Sequence, residues 1–333
     1  MNRMDFTSAV ARLRVLEKRL LNKVKIERMI DAPSAMEALS ILGEGEYSAL
    51  MNDVDRAEDY EVLLQNELQR VYKLMYELTS DNSVVDILSV KYDYHNIKVL
   101  IKAKALSSEF NSLLMQAGTV DAGKLKEAIA VGDYKELPAS FADAIKEAEL
   151  KYKETKDPQI IDIIVDRFMY SDMVKRAEDM KEEFILKYVK MNIDFINIRT
   201  FLRVKKQEKS MNFLREVLLK GGTIELEFYE KMYSESDENI VSRLSKTVYG
   251  PKIKEGLNEY AQTGKLTLFE KSFEDCIMEH VKDGKYINFG PEPLFSYILA
   301  KETEIKIIRI IMVAKLNKVQ SNVIRERLRD VYV

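Results

Sequence analysis

The stretch YDYHNIKVLIKAK, residues 92–104, decides the fold because a similar stretch occurs twice more in the sequence. The second copy, IDFINIRTFLRVK, covers residues 193–205, and the third, TEIKIIRIIMVAK, covers residues 303–315. The copies share an acidic residue, an isoleucine, a basic residue and a final lysine, which align as Asp93/Asp194/Glu304, Ile97/Ile198/Ile308, Lys98/Arg199/Arg309 and Lys104/Lys205/Lys315. A period of about a hundred residues predicts three copies of one unit.

Each copy reads as a helix with two different faces. At about 100° per residue, Ile97 and Leu100 lie on the same side as Asp93 and Lys104. The acid and the lysine therefore bracket an apolar stripe that we expect to be buried. The interpretation we favour gives them a structural role, as caps and salt bridges at the two ends of the stripe.

The opposite face of the repeated helix is basic. Two interpretations are open: a solvated helix face, or a basic surface that is presented three times to an acidic partner. The candidate interface residues are Lys98, Lys102, Arg199, Arg203 and Arg309. Val313 breaks the basic pattern in the third copy, so we expect that copy to face something different.

A second motif also repeats and divides the chain. Gly118-Thr119-Val120 matches Gly222-Thr223-Ile224, each after a basic helix and before a short predicted one. We expect the glycine to end the first helix and the threonine to cap the second. These motifs predict three similar helical units, residues 1–116, 117–220 and 221–333. No long flexible linker separates them, which predicts that they pack together.

Composition supports an all-α, folded, charge-rich protein. The 333 residues are 46% hydrophobic and 32% charged, with only 12 Gly and 6 Pro to form turns. Cys276 is the only cysteine, which excludes an intrachain disulfide and fits a reducing compartment. The charged N-terminal residues predict no secretory leader, and no apolar run of membrane-spanning length occurs. The net charge of −3 combines basic repeated helices with an acidic remainder, which argues against nucleic acid as a partner.

Motifs for catalysis are missing. GLNEYAQTGKLT at 256–267 lacks the spacing of a phosphate-binding loop, and GEGEY at 43–47 opens no dinucleotide-binding unit. Cys276 and His280 share a helix face, but two ordinary residues at that spacing are a weak signal. We therefore predict no catalytic residues, no cofactor and no metal site. An enzyme with an unrecognised carboxylate site is left as a minor alternative.

Several blocks of sequence resemble one family. They are VARLRVLEKRLL, YDYHNIKVLIKAK, FINIRTFLRVK, FLREVLLKGGT and the C-terminal AKETEIKIIRIIMVAKLNKVQSNVIRERLRDVYV. Together they resemble the C subunit of the archaeal and bacterial A/V-type rotary ATPases, which is related to the d subunit of the eukaryotic V-type ATPase. The last block is the most specific, with E-x-x-x-I-R-x-I followed by I-R-E-R-L.

The resemblance implies an all-α protein whose three similar domains form a funnel with approximate threefold symmetry. It implies a non-catalytic subunit that couples the central stalk (subunits of D and F type) to the membrane rotor ring. That role would serve proton or sodium ion transport linked to ATP, as a monomer within a hetero-oligomer. The protein would lie on the cytoplasmic side, peripheral to the membrane and not inserted in it. The rival hypothesis is a free-standing helical-repeat scaffold that binds a peptide or a protein.

Overall fold

The structure is a computed structural model that describes residues 2–79 and 81–333. The chain is 75% helical, and no strand occurs among the described residues, so the predicted all-α class is confirmed. It divides into two compact units. Unit 1 joins Met1–Asn82 to Ile240–Val333, and unit 2 is the continuous segment Ser83–Asn239.

Unit 1 begins with four α-helices, which are α1 (Thr7–Glu17), α2 (Lys23–Asp31), α3 (Ala35–Gly43) and α4 (Tyr60–Leu78). Short 3-10 helices cover Arg3–Phe6, Ser48–Asp53 and Ala57–Asp59. The starts of α2 and α3 are set by the sequence. The Asn22 side chain accepts from Lys25 N at 2.9 Å, and Ser34 Oγ accepts from Glu37 N at 3.1 Å.

Unit 2 contains the first two copies of the repeated stretch, each on a helix of 24 residues. Its α-helices are α5 (Ser83–Leu106), α6 (Ala122–Val131), α7 (Ala139–Thr155), α8 (Gln159–Met180), α9 (Glu183–Lys206), α10 (Met211–Val217) and α11 (Leu226–Met232). A 3-10 helix covers Asn111–Leu113. The helix predicted for the first copy, residues 92–104, is confirmed and lies within α5. It packs against α6, α7 and α8.

The chain returns to unit 1 with α12 (Asp237–Leu244), α13 (Gly250–Thr263), α14 (Thr267–Lys282), α15 (Glu292–Leu316) and α16 (Ser321–Arg327). A 3-10 helix covers Asp283–Tyr286. Helix α15 carries the third copy and lies at the centre of this unit. It packs against α1, α2, α3, α4, α14 and α16. The apolar stripe predicted on the repeated helices is buried, as Ile97, Ile198 and Ile308 have no exposed surface.

The division into three units at residues 116 and 220 stays a prediction, because compactness and internal repetition are different properties of a chain. One observation bears on how the third copy is completed. Helix α15 is contacted by α2, α3 and α4 from the beginning of the chain, as α5 is contacted by the helices that follow it.

Candidate functional site

The repeated acidic residue is buried and holds the loop that precedes a short helix. Asp93, which is fully buried, accepts hydrogen bonds from Thr119 N at 2.8 Å, Thr119 Oγ1 at 2.7 Å and Val120 N at 3.0 Å. Burial raises the pKa of Asp93, in opposition to these hydrogen bonds. A Cβ on Gly118 would collide with the Asp93 carboxylate, so the close approach requires glycine.

The second copy repeats this arrangement. The buried Asp194 accepts from Thr223 N at 2.9 Å and from Ile224 N at 3.0 Å, and a Cβ on Gly222 would collide with its carboxylate. The prediction that the two threonines cap the next helices was wrong. The N-caps are Asp121 for α6 and Glu225 for α11, two residues further along the chain, and the N–H groups of both threonines donate to the buried aspartates.

The third copy uses the same device with a segment from the beginning of the chain. Glu304 Oε2 accepts from Leu21 N at 2.6 Å. Leu21 directly precedes Asn22, the N-cap of α2, as Val120 and Ile224 directly precede the N-caps of α6 and α11. Each buried acid therefore holds the residue just before a short helix.

The repeated lysine holds the other end of the same short helix. Lys104 Nζ donates to Ile129 O at 2.8 Å, Lys205 to Tyr233 O at 3.0 Å, and Lys315 to Ala32 O at 2.6 Å. These carbonyls lie at the ends of α6, α11 and α2, where a cation is favourable. We call the acid, the lysine and the short helix between them the clasp. The predicted structural role of the acid and the lysine is confirmed.

A buried charged cluster adjoins the clasp of the third copy at Glu304, and the sequence analysis did not single it out. Lys301 is 1% exposed, and its Nζ lies 2.8 Å from Glu67 Oε1 and 2.8 Å from Glu304 Oε1. Arg70 reaches Glu67 at 2.7 Å, and the Tyr47 hydroxyl donates to Glu304 at 2.7 Å. The sequence signal for this cluster was Lys301, which directly follows an apolar run at the start of α15. A lysine in such a position indicates a buried carboxylate partner.

The electrostatics of this cluster favour its charged form. Burial alone would raise the pKa of Glu67, but hydrogen bonds and charge from Arg70 and Lys301 outweigh it and lower that pKa. Burial would lower the pKa of Lys301, but Glu304 and Glu67 raise it. Burial and the nearby carboxylates raise the pKa of Tyr47. Glu67 and Lys301 are thus an ion pair at neutral pH.

The candidate interface residues Lys98, Lys102 and Arg309 contact carboxylates on neighbouring helices. Lys98 lies 2.8 Å from Asp166 and Lys102 lies 2.7 Å from Asp162, both acids being on α8. In unit 1, Arg309 donates two hydrogen bonds to Glu61 of α4, at 2.9 and 2.7 Å. These bases are half-buried.

The other two candidates lie on α9. The Arg199 guanidinium is half-buried and stands 5.1 Å from the centre of the Phe195 ring. Arg203 is the one member of the five that is exposed. The five residues therefore differ in their surroundings, and Arg203 is more exposed than the other four.

Among residues 2–79 and 81–333, no group of three or more His, Cys, Asp or Glu side chains is arranged to hold a metal ion. Cys276 and His280 are both buried. Within those same residues, no helix combines the length and the apolar character needed to cross a membrane.

The fold and the clasps define an all-α protein in which long helices each hold a short helix by its two ends. The sequence identifies the family. The family described as "ATP synthase (C/AC39) subunit" matches residues 9–327, and the chain belongs to that family.

Curated relatives match over nearly the whole chain. The C subunit of the V-type sodium ATPase of Enterococcus hirae is 27% identical, with 99% of both chains covered. The C subunit of the A-type ATP synthase of Methanocaldococcus jannaschii is 26% identical, with 96% of this chain and 84% of the relative covered. The corresponding A-type protein of Methanosarcina acetivorans is 25% identical, with 97% and 92% covered. The resemblance inferred from the sequence is thus confirmed.

Proposed function

We propose that this protein is a non-catalytic subunit of an A/V-type rotary ATPase and couples the central stalk to the membrane rotor ring. The observation that carries the proposal is the family match over residues 9–327, with relatives of similar length that are named as C subunits of such enzymes. Its partners would be the central-stalk subunits of D and F type and the rotor ring. The transported ion would be a proton or a sodium ion.

The clasps support a mechanical role. A protein that couples two rotating parts must transmit torque without bending, and each clasp fixes a short helix to a long one by charged groups at both ends. Hydrogen bonds to charged groups contribute about 1.5–3 kcal/mol each, more than neutral ones. We propose that three such units, residues 1–116, 117–220 and 221–333, form a funnel of approximate threefold symmetry at the cytoplasmic face of the ring.

The experiment is native mass spectrometry of the chain with the central-stalk subunits of the same organism, with and without detergent-solubilised rotor ring. We expect a 1:1 complex with the stalk that then captures the ring. A monomer under both conditions would contradict the proposal and favour the free-standing scaffold.

Arg203 tests whether the basic helix face contributes to assembly. Arg203→Glu is expected to weaken assembly and to reduce its salt dependence, since rim charges act mainly on association. The thermal melt should not move, because the side chain is exposed. Lys146→Glu is the matched control, an exposed base on α7 outside the candidate set. Equal loss in both variants, or a lowered melting temperature for Arg203→Glu, would argue against an interface at this face.

A further inference from the structure

An open groove of about 650 Å³ lies in unit 1, on the outer side of α15. Its apolar lining comes from one stripe of α15, namely Ile310, Val313 and Ala314, and from Val319 and Ile324 at the start of the C-terminal segment. Positions three and four apart on a helix lie side by side, so the stripe forms a continuous floor. The groove therefore offers an apolar surface in the shape of a trough along a helix.

The groove lies where the third copy departs from the repeat. Where the first two copies have Lys102 and Arg203, the third has Val313, and this side chain is 44% exposed. The helix face that is basic on α5 and α9 is thus apolar at this point of α15. Burial of the exposed Val313 side chain by another molecule would be favourable, because it removes apolar surface from water.

Arginines line the same groove. Arg309 and Arg329 lie beside the apolar floor and are anchored by Glu61 and Glu274, at 2.7 and 2.8 Å. Arg327 also lines the groove and is exposed. A guanidinium carries five N–H donors in a planar fork, so an arginine that is anchored by one carboxylate can still engage a second.

We propose that this groove docks an acidic amphipathic helix of another subunit of the rotary complex. The apolar stripe of that helix would cover Val313 and Ile310, and its carboxylates would meet Arg327 and Arg329. An apolar trough along a helix fits recognition of a helix by anchors at i, i+3, i+4 and i+7, and the arginines select acidic flanks. This inference rests on the proposed function, since it takes the occupant from the same complex.

The test compares Val313→Lys, which restores the basic residue of the other two copies, with Val131→Lys as the matched control. Val131 is 74% exposed at the end of α6, outside the groove. The labelled full chain is titrated with purified central-stalk subunits and, separately, with detergent-solubilised rotor ring. We expect Val313→Lys to weaken one of these bindings about tenfold, as loss of a central apolar contact does, and Val131→Lys to leave both unchanged.

A second variant and a crosslink make the result specific. Arg327→Glu should weaken the same binding and flatten its salt dependence. A photoreactive residue, Val313→p-benzoylphenylalanine, should crosslink to a helical segment rich in Asp and Glu. Thermal melts of all variants should match the unchanged chain, because both positions are exposed.

The outcomes separate the two proposals. If the unchanged chain binds stalk or ring and Val313→Lys binds equally well, the groove is not the docking site, although the coupling role stands. If the unchanged chain binds neither, both proposals fail. A concentration-dependent dimer that Val313→Lys abolishes would make the occupant a second copy of this chain, and a crosslink to a segment without acidic residues would also overturn the proposal.

Discussion

Replacing Lys301 by methionine is the most direct test of the buried cluster in unit 1. Methionine keeps the length of the side chain and removes its charge and its three donors. The change would break two contacts of 2.8 Å, to Glu67 and Glu304, and the contact of the ammonium with the Tyr47 ring at 4.9 Å. Two buried carboxylates would then lack their shared cation.

The expected loss follows from what each carboxylate keeps. Removal of one partner from a buried ion pair costs about 3–5 kcal/mol. Glu67 retains two hydrogen bonds from Arg70, and Glu304 retains the Tyr47 hydroxyl and Leu21 N. We therefore expect about 3 kcal/mol, at the lower end of that range. Such a loss is a large part of the stability of an ordinary domain, which is about 5–15 kcal/mol.

The assay is urea unfolding followed by circular dichroism, together with amide hydrogen exchange resolved by segment. Exchange should accelerate in α4 and α15 of unit 1, where the cluster lies, and not in α5 to α8 of unit 2. Lys306→Met is the matched control. Lys306 lies on α15, as Lys301 does, but it is exposed where it meets Glu274 of α14. Ion pairs at exposed positions contribute about 0–1 kcal/mol.

A double substitution decides the cause. Adding Glu67→Gln to Lys301→Met removes one of the uncompensated charges. The double variant should therefore lose less free energy of unfolding than the two single variants lose together. The reasoning would be refuted if Lys301→Met changed the free energy of unfolding by less than about 1 kcal/mol or raised it, since hydrophobic replacement of buried charges sometimes stabilises.

Two further predictions concern the clasps and the response to acid. Gly222→Ala should displace the Asp194 carboxylate and weaken its two hydrogen bonds, for a loss of about 2–4 kcal/mol measured by thermal melting. Gly123→Ala, in the first turn of α6, brings a Cβ to 3.0 Å from Oδ1 of the exposed Asp121 and should cost less than Gly222→Ala, and an equal loss at both sites would contradict the explanation. The pKa values of Glu67 and Glu274 are lowered in the folded protein from an ordinary value of 4.5. Between the lowered pKa values of the folded protein and 4.5, the unfolded chain binds more protons. The stability that these two carboxylates contribute is therefore complete above pH 4.5 and is lost as the pH falls through their lowered pKa values. Urea midpoints at about pH 7 and about pH 3.5 test this, and no decrease at the lower pH would refute it.

The sequence was sufficient for the elements and for half of each clasp. The 3.6-residue periodicity of residues 92–104 gave the helix and its buried face, and the bracketing of that face by Asp93 and Lys104 gave their structural role. The partner of each charge could not be read in the same way. A buried aspartate can accept from a side chain or from backbone N–H groups, and only the fold decides which segment lies beside it.

The misses have the same physical origin. Thr119 looked like a cap because it stands before a short helix, but its hydroxyl and its N–H both donate to Asp93, and Asp121 is the N-cap. Lys301 and Glu67 are far apart in the sequence and meet only when α4 packs on α15. The basic face was found from the sequence, but its pairing with carboxylates on α8 and α4 depends on helix packing.

The clasp of the third copy has a consequence for folding during synthesis, because it joins segments that are made at different times. Unit 2 is continuous, but α2, α3 and α4 leave the ribosome before their partner α15 exists. At about 5–20 residues per second, residues 83–316, up to the end of α15, take roughly 12–47 s to make. During that interval the apolar faces of the early helices, including Leu68 and Val71 of α4, lack their final cover. A chaperone that binds nascent chains should therefore engage the first 82 residues, and release should coincide with the emergence of α15.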